Sequence, residues 1–173
     1  LECPYSVVTM EGWRRTMAYE ETGLPWVLPS PNMPTVDTAF VYPGMILLEG
    51  TNLSEGRGTT RPFEIFGAPF LNPFETAERL NAAGLAGVRF RAMSFKPTFD
   101  KHAGSLCGGV QLHVTDRSAF RPVLTAVAVL QEARRQTGGQ ETSFRWTAPP
   151  YEYEMTRLPI DILAGSEQLR GQV

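Results

Sequence analysis

Residues 24–34 read Leu24-Pro25-Trp26-Val27-Leu28-Pro29-Ser30-Pro31-Asn32-Met33-Pro34. The missing backbone donors at Pro25, Pro29, Pro31 and Pro34 exclude a regular helix or a central strand there. The same chemistry runs through the chain, with 14 prolines and 16 glycines in 173 residues. Such a chain is limited to short elements joined by many turns. A long, stiff, partly apolar loop reads either as a wall over something or as a cover that seats Trp26 and Leu28 on the core. Both readings stay open at this level.

The length suits a single domain (residues 1–173) with a proper core. Hydrophobic content of 42% and charged content of 20% are ordinary for a globular protein. A net charge of -2 gives no reason to expect nucleic acid. No apolar run is long enough to span a membrane. The opening Leu1-Glu2-Cys3-Pro4 is not a signal peptide and reads as a mature, processed or truncated start. Cys3 and Cys107 have no metal-ligand neighbours at zinc spacing, and a buried free thiol is the reading ahead of a disulfide.

The periodicities predict the elements. Residues 5–10 are a short strand candidate. Thr35 is an N-cap for a helix over 36–42, and Pro43 is expected to break it and start a second piece over 43–48. Residues 63–66 read as a strand. Asn72, Pro73 and Glu75 form a helix start, and that helix runs to Ala83 and stops at Gly84. Val88 to Phe95 alternates as a half-exposed strand, and Val110 to Val114 does the same with Gln111 and His113 outward. Residues 120–135 form the longest helix, starting near Ser118, with Phe120, Leu124, Val127 and Leu130 as its buried stripe. Short helical turns follow over 159–163 and 166–170. Several connections are too short for parallel crossovers, so the fold class is α+β: a small mixed or mainly antiparallel sheet with helices packed on it.

Residues 48–61 carry Glu49, Glu55, Arg57, Arg61, Asn52 and four hydroxyls around Gly50, Gly56 and Gly58. No apolar face runs through them, so they read as a polar loop that displays its groups. The glycine pattern is neither a P-loop nor a dinucleotide fingerprint, and no cofactor is expected. Glu49 and Glu55 are permitted as a glycosidase carboxylate pair, but an ion pair with Arg57 is the favoured alternative. Asp100, Lys101 and His102 form a second polar cluster that suits proton transfer or ligand contacts. His102 and His113 lack the carboxylates of a metal site.

Six irregular stretches carry a resemblance. They are Gly23–Val27, Pro29–Pro34, Leu48–Thr60, Gly67–Phe70, Lys101–Gly104 and Cys107–Thr115, in this order. Together they resemble the family long called DUF1343, now associated with bacterial exo-β-N-acetylmuramidases of the NamZ type. The resemblance implies a glycosidase that releases terminal N-acetylmuramic acid from peptidoglycan fragments. Family members are about twice as long, and their first half resembles a Rossmann-like domain that carries the glutamate proposed as catalytic. That half has no counterpart here, so the chain resembles the C-terminal domain alone, with the upstream domain as its partner. The resemblance makes the 49–60 and 29–34 loops one wall of an interdomain cleft. Asn32, Glu49, Asn52, Glu55, Arg57, Thr59, Lys101 and His102 become the candidate sugar contacts, with Glu49 and Glu55 the catalytic candidates. A non-catalytic carbohydrate-binding or docking module is the alternative. A periplasmic or secreted setting is implied by the resemblance only.

Overall fold

The structure, a computed structural model, describes residues 3–138 and 143–173. Helix α1 spans Val36–Met45, and the Thr35 hydroxyl caps it by accepting from Thr38 N. Pro43 does not break this helix as expected. It removes one backbone bond, but Gly44 lets α1 lie directly on a later helix: a Cβ there would stand 1.9 Å from Pro122 O. That contact holds the helix through the proline, and the chain then tightens into a 3-10 turn over Ile46–Gly50.

Strand β1 (Ile65–Ala68) begins two residues later than the sequence suggests. Helix α2 (Pro73–Ala82) starts as expected, with Asn72 Oδ1 accepting from Phe74 N and Glu75 N. Strand β2 spans Val88–Phe95, and β3 spans Cys107–Val114, three residues longer at its start than the alternation predicts. The sheet order is β1-β3-β2, with both pairings antiparallel. The fold is therefore α+β.

Side-chain parity divides the sheet. Phe66, Val88, Phe90, Val110 and Leu112 join the main core under the helices. Ile65, Phe95 and Cys107 form a small cluster on the other face. Gly67 and Gly109 admit the close approach of β1 and β3, since a Cβ on Gly109 would stand 2.0 Å from Phe66 O.

Helix α3 spans Pro122–Gln136, not from Ser118. Asp116 Oδ1 instead accepts from Ser118 N and Ala119 N in a local turn. Arg121, ahead of Pro122, is extended at φ -122°, as a residue before proline prefers. The buried stripe is rotated accordingly. Ala126, Val129, Leu130 and Ala133 are inside, whereas Leu124 is 58% exposed and Val127 only half-buried. Two short helices close the chain, α4 (Pro159–Leu163) and α5 (Gln168–Gln172). Residues 5–10 form no strand among the described residues, because nothing pairs with them. Cys3 is exposed, Cys107 is buried, and both are free thiols.

Candidate active-site ridge

The 3-10 turn over Ile46–Gly50 delivers Glu49 to the start of the polar loop. An antiparallel bridge between Thr51 and Trp146 then fixes the chain. Asn52 reinforces it: its Nδ2 donates to Ser143 O at 2.5 Å, and its Oδ1 accepts from Arg145 N at 3.0 Å. Gly56 and Gly58 sit at φ +83° and +77°, backbone that favours glycine. A Cβ on Gly58 would stand 2.7 Å from Phe99 N, so this glycine lets the 98–102 segment close on the loop. Thr98 N donates to Gly58 O, and Thr59 Oγ1 donates to Gly56 O.

Both polar clusters therefore meet in one charged network. Glu55 is 1% exposed. Its Oε1 faces Arg57 Nε at 3.0 Å and its Oε2 accepts from Lys101 Nζ at 2.9 Å. Lys101 Nζ also donates to Leu48 O at 2.9 Å and Leu53 O at 3.1 Å. Two cations on one buried carboxylate occupy both of its oxygens, which suits a structural hub. His102 Nε2 lies 2.7 Å from Asn52 O, and His102 and Asp100 both adopt positive φ.

Glu49 stands nearer the surface. Arg57 Nη2 donates to its Oε1 at 2.6 Å. Tyr151 donates its hydroxyl to Oε2 at 2.7 Å. Asp100 adds a third carboxylate, 3.8 Å from Arg57 Nε. Burial opposes the charge on Arg57, but Glu49, with help from Glu55 and Asp100, outweighs it and raises the guanidinium pKa. Burial and the bond to Glu49 push the Tyr151 phenol up, so it stays a donor. Burial also raises Tyr42, again with Glu49 contributing. The Arg57 guanidinium lies 5.3 Å from the Phe63 ring centre, and Tyr42 meets Phe63 edge-on at 4.9 Å. Phe63 is buried at φ 63°, a strained state for a bulky side chain, held by its N–H donating to Glu55 O.

The structure thus unites Glu49, Asn52, Glu55, Arg57, Thr59, Lys101 and His102. It adds Tyr151, Tyr42 and Phe63, which the sequence reading did not single out. Tyr151 lies 102 residues beyond its partner Glu49, and no local pattern marks it. Asn32 stays apart from the network, and its backbone N–H bonds locally to Ser30 Oγ. Arg57 pairs with both glutamates, as the ion-pair reading has it. Among the described residues no cluster of three or more His, Cys, Asp or Glu is placed to hold a metal, and no helix is long and apolar enough to cross a membrane.

The family described as exo-beta-N-acetylmuramidase NamZ, C-terminal, matches residues 40–173. The chain belongs to the NamZ family. The corresponding N-terminal NamZ description matches residues 1–37. The peptidoglycan beta-N-acetylmuramidase NamZ of Bacillus subtilis is 56% identical over 131 residues, which are 76% of this chain and 32% of that protein. The chain thus spans about a third of that relative's length. A crystal structure of a DUF1343 family protein from Bacteroides fragilis superposes with a TM-score of 0.78 at 29% identity, covering 92% of this chain and 40% of the other. A second DUF1343 structure from the same species, at 21% identity and a TM-score of 0.52, shares the fold over 83% of this chain and 34% of its own.

Proposed function

We propose that this chain is the C-terminal part of an exo-β-N-acetylmuramidase, and that its charged ridge lines the cleft that takes a terminal N-acetylmuramic acid from peptidoglycan fragments. The observation that carries the reading is the 56% identity to a protein named for that activity. The ridge adds chemical sense. Glu49, Arg57, Asp100 and Tyr151 keep some surface on which to meet a sugar, and Lys101 keeps more of its side chain exposed than Glu49 does. Glu55 pairs with Arg57 and Lys101, and Asn52, Thr59, Lys101 and His102 use their polar atoms on backbone groups that fix the loops. The acid/base pair is not complete on this chain in the reading, because both oxygens of Glu55 are held by cations. An upstream Rossmann-like domain supplies the proton donor. A role in cell-wall recycling follows.

Arg57 Nη1 makes no hydrogen bond to another described residue. It is the edge proposed to meet the lactyl carboxylate that separates N-acetylmuramic acid from N-acetylglucosamine. The test is turnover of a chromogenic β-N-acetylmuraminide by this chain alone and by a longer protein in which it follows a complete NamZ N-terminal domain. Activity in the long form only is the expected result. Activity in the short form would return Glu49 and Glu55 to the catalytic role. Arg57→Ala in the long form should cut the preference for muramic over glucosamine ends by about tenfold, the worth of one charge-assisted contact. An unchanged preference would remove Arg57 from recognition.

A further inference from the structure

Where β1 stops short of β3, a polar cavity of about 280 Å3 opens on the sheet edge, and none of Glu49, Glu55, Arg57, Lys101 and Tyr151 lines it. The gap has a cause in the chain. Leu112 N donates to Glu64 O at 2.8 Å, one residue before β1 starts. Next to Glu64, Phe63 sits at φ 63° and turns the chain off the sheet, and Pro62 has no N–H to offer. Bonding sides alternate along a strand, and Thr115 N donates to Gly87 O on the β2 side. Val114 therefore turns its N–H and C=O, and Leu112 its C=O, toward the side that β1 has vacated. Among the described residues nothing bonds to these three groups on that side. The rest of the cavity is held rigidly. Glu64 is 5% exposed; its Oε1 accepts from Thr38 Oγ1 at 2.6 Å and its Oε2 from Arg61 Nη1 at 3.2 Å, which fixes Arg61 in the lining. Gln111 Oε1 accepts from Arg91 Nη2 at 2.7 Å, so the Gln111 amide nitrogen remains to donate. Val41 and Leu112, both buried, give the cavity an apolar floor.

We propose that this cavity binds an N-acetylglucosamine unit by its acetamido group. A trans amide points its N–H and C=O in opposite directions, so it needs an acceptor on one wall and a donor on another. The edge carbonyls of Leu112 and Val114 supply the acceptor, and Arg61 and the Gln111 amide supply the donor. Val41 and Leu112 seat the methyl group, and Asp37 and His113 remain for ring hydroxyls. The volume suits one pyranose rather than a larger ligand. Only Leu112 and Val114 offer free edge groups, which is too short a ladder to hold an added peptide strand. The carboxylates of Glu64 and Asp37 repel a lactyl carboxylate, which selects N-acetylglucosamine over N-acetylmuramic acid. The inference goes beyond the muramidase reading, because it stands on a cavity that the ridge does not share.

A nuclear magnetic resonance titration tests it, in the longer protein that carries a complete NamZ N-terminal domain ahead of this chain. N-acetylglucosamine should shift the Leu112 and Val114 amides and the Gln111 side-chain amide saturably, with a Kd of about 1–10 mM. Glucose, which lacks the acetamido group, should leave them unmoved at the same concentrations. Gln111→Ala, a change outside the core, should weaken binding by about tenfold, the size of one lost hydrogen bond. Equal shifts with glucose, an affinity unmoved by Gln111→Ala, or no shift at these amides would each overturn the proposal. Shifts confined to Glu49, Arg57 and Lys101 would also overturn it and place the sugar on the ridge. An acetylated tripeptide that moves these amides where the sugar does not would overturn it in favour of strand addition. Should Gln111→Ala fail to fold, the comparison of the two sugars on the unsubstituted protein decides alone. No turnover enters this test: binding in an inactive protein keeps the site and removes the muramidase reading, and turnover without these shifts does the reverse.

Discussion

Replacing Lys101 with Met keeps the length of the side chain and removes only the ammonium. Four bonds disappear, to Leu48 O, Leu53 O, Glu55 Oε2 and, at 3.5 Å, Glu49 O, which still accepts from Thr147 Oγ1. Their consequences differ. Leu48 O still accepts from Thr51 N and Thr51 Oγ1, so it stays satisfied. Leu53 O has no second partner among the described residues, and Leu53 is fully buried, so this carbonyl is orphaned at a cost of about 1 kcal/mol. Glu55 keeps Arg57 but loses one of its two cations while almost fully buried, which costs about 2 kcal/mol. The sum is about 3 kcal/mol, which for a chain of this size lowers Tm by about 6–12 °C. Urea unfolding followed by far-UV circular dichroism measures it. The double variant Lys101→Met/Glu55→Gln should fall well short of the sum of the singles, because both remove the same bond. A loss below about 1 kcal/mol for Lys101→Met would refute the reasoning, since water would then be serving Glu55 as well as the ammonium does.

Further outcomes follow from separate parts of the molecule. Gly44→Ala should destabilise by about 3 kcal/mol or more in the same unfolding assay, because its Cβ meets Pro122 O, whereas Gly171→Ala, with open space around it, should be neutral or slightly favourable. A thiol reagent should modify Cys3 quickly and leave Cys107 untouched in the folded protein, because burial raises the Cys107 thiol and hides it; two fast equivalents would contradict this. Burial works against the charge on Glu132, but bonds from Arg135, Gln136 and Arg79 prevail and leave its carboxyl below the usual glutamate range. Its contribution to stability is therefore present above the unfolded glutamate pKa and is lost as pH falls through the depressed value. Glu132→Gln should flatten the acid side of the stability curve, and an unchanged slope below pH 4 to 5 (about the unfolded glutamate pKa) would count against it.

The elements that sequence alone reveals are those with chemical punctuation. Asn72-Pro73 marks the start of α2, and Arg89 and Arg91 alternating with Val88, Phe90 and Ala92 mark β2. Where small residues do the packing, the signal fades. Gly108 and Gly109 belong to β3 yet carry no alternation, because their place in the sheet depends on what β1 and Leu71 bring to them. The stripe of α3 was obscured for the same reason: Ala126 and Ala133 face inward, while the more hydrophobic Val123 and Leu124 face out. Residues 5–10 have strand chemistry but no partner among the described residues. The polar loop was legible because it is dense in charge and glycine. Its depth was not. Burial of Glu55 depends on Lys101, 46 residues away, and the Glu49 carboxylate depends on Tyr151.

The seam between the two NamZ descriptions falls between residues 37 and 40, inside α1 rather than in a tether. Around it, Thr38 donates to Glu64 Oε1 at 2.6 Å, and Arg117 grips Glu20 and Asp37 while stacking on Phe40. A helix is a torsional shaft. One residue inserted at this seam would turn everything ahead of it by roughly 100° about the axis and advance it by about 1.5 Å. The two family regions are thus geared to each other, and length variation here would be read as misalignment rather than absorbed as slack.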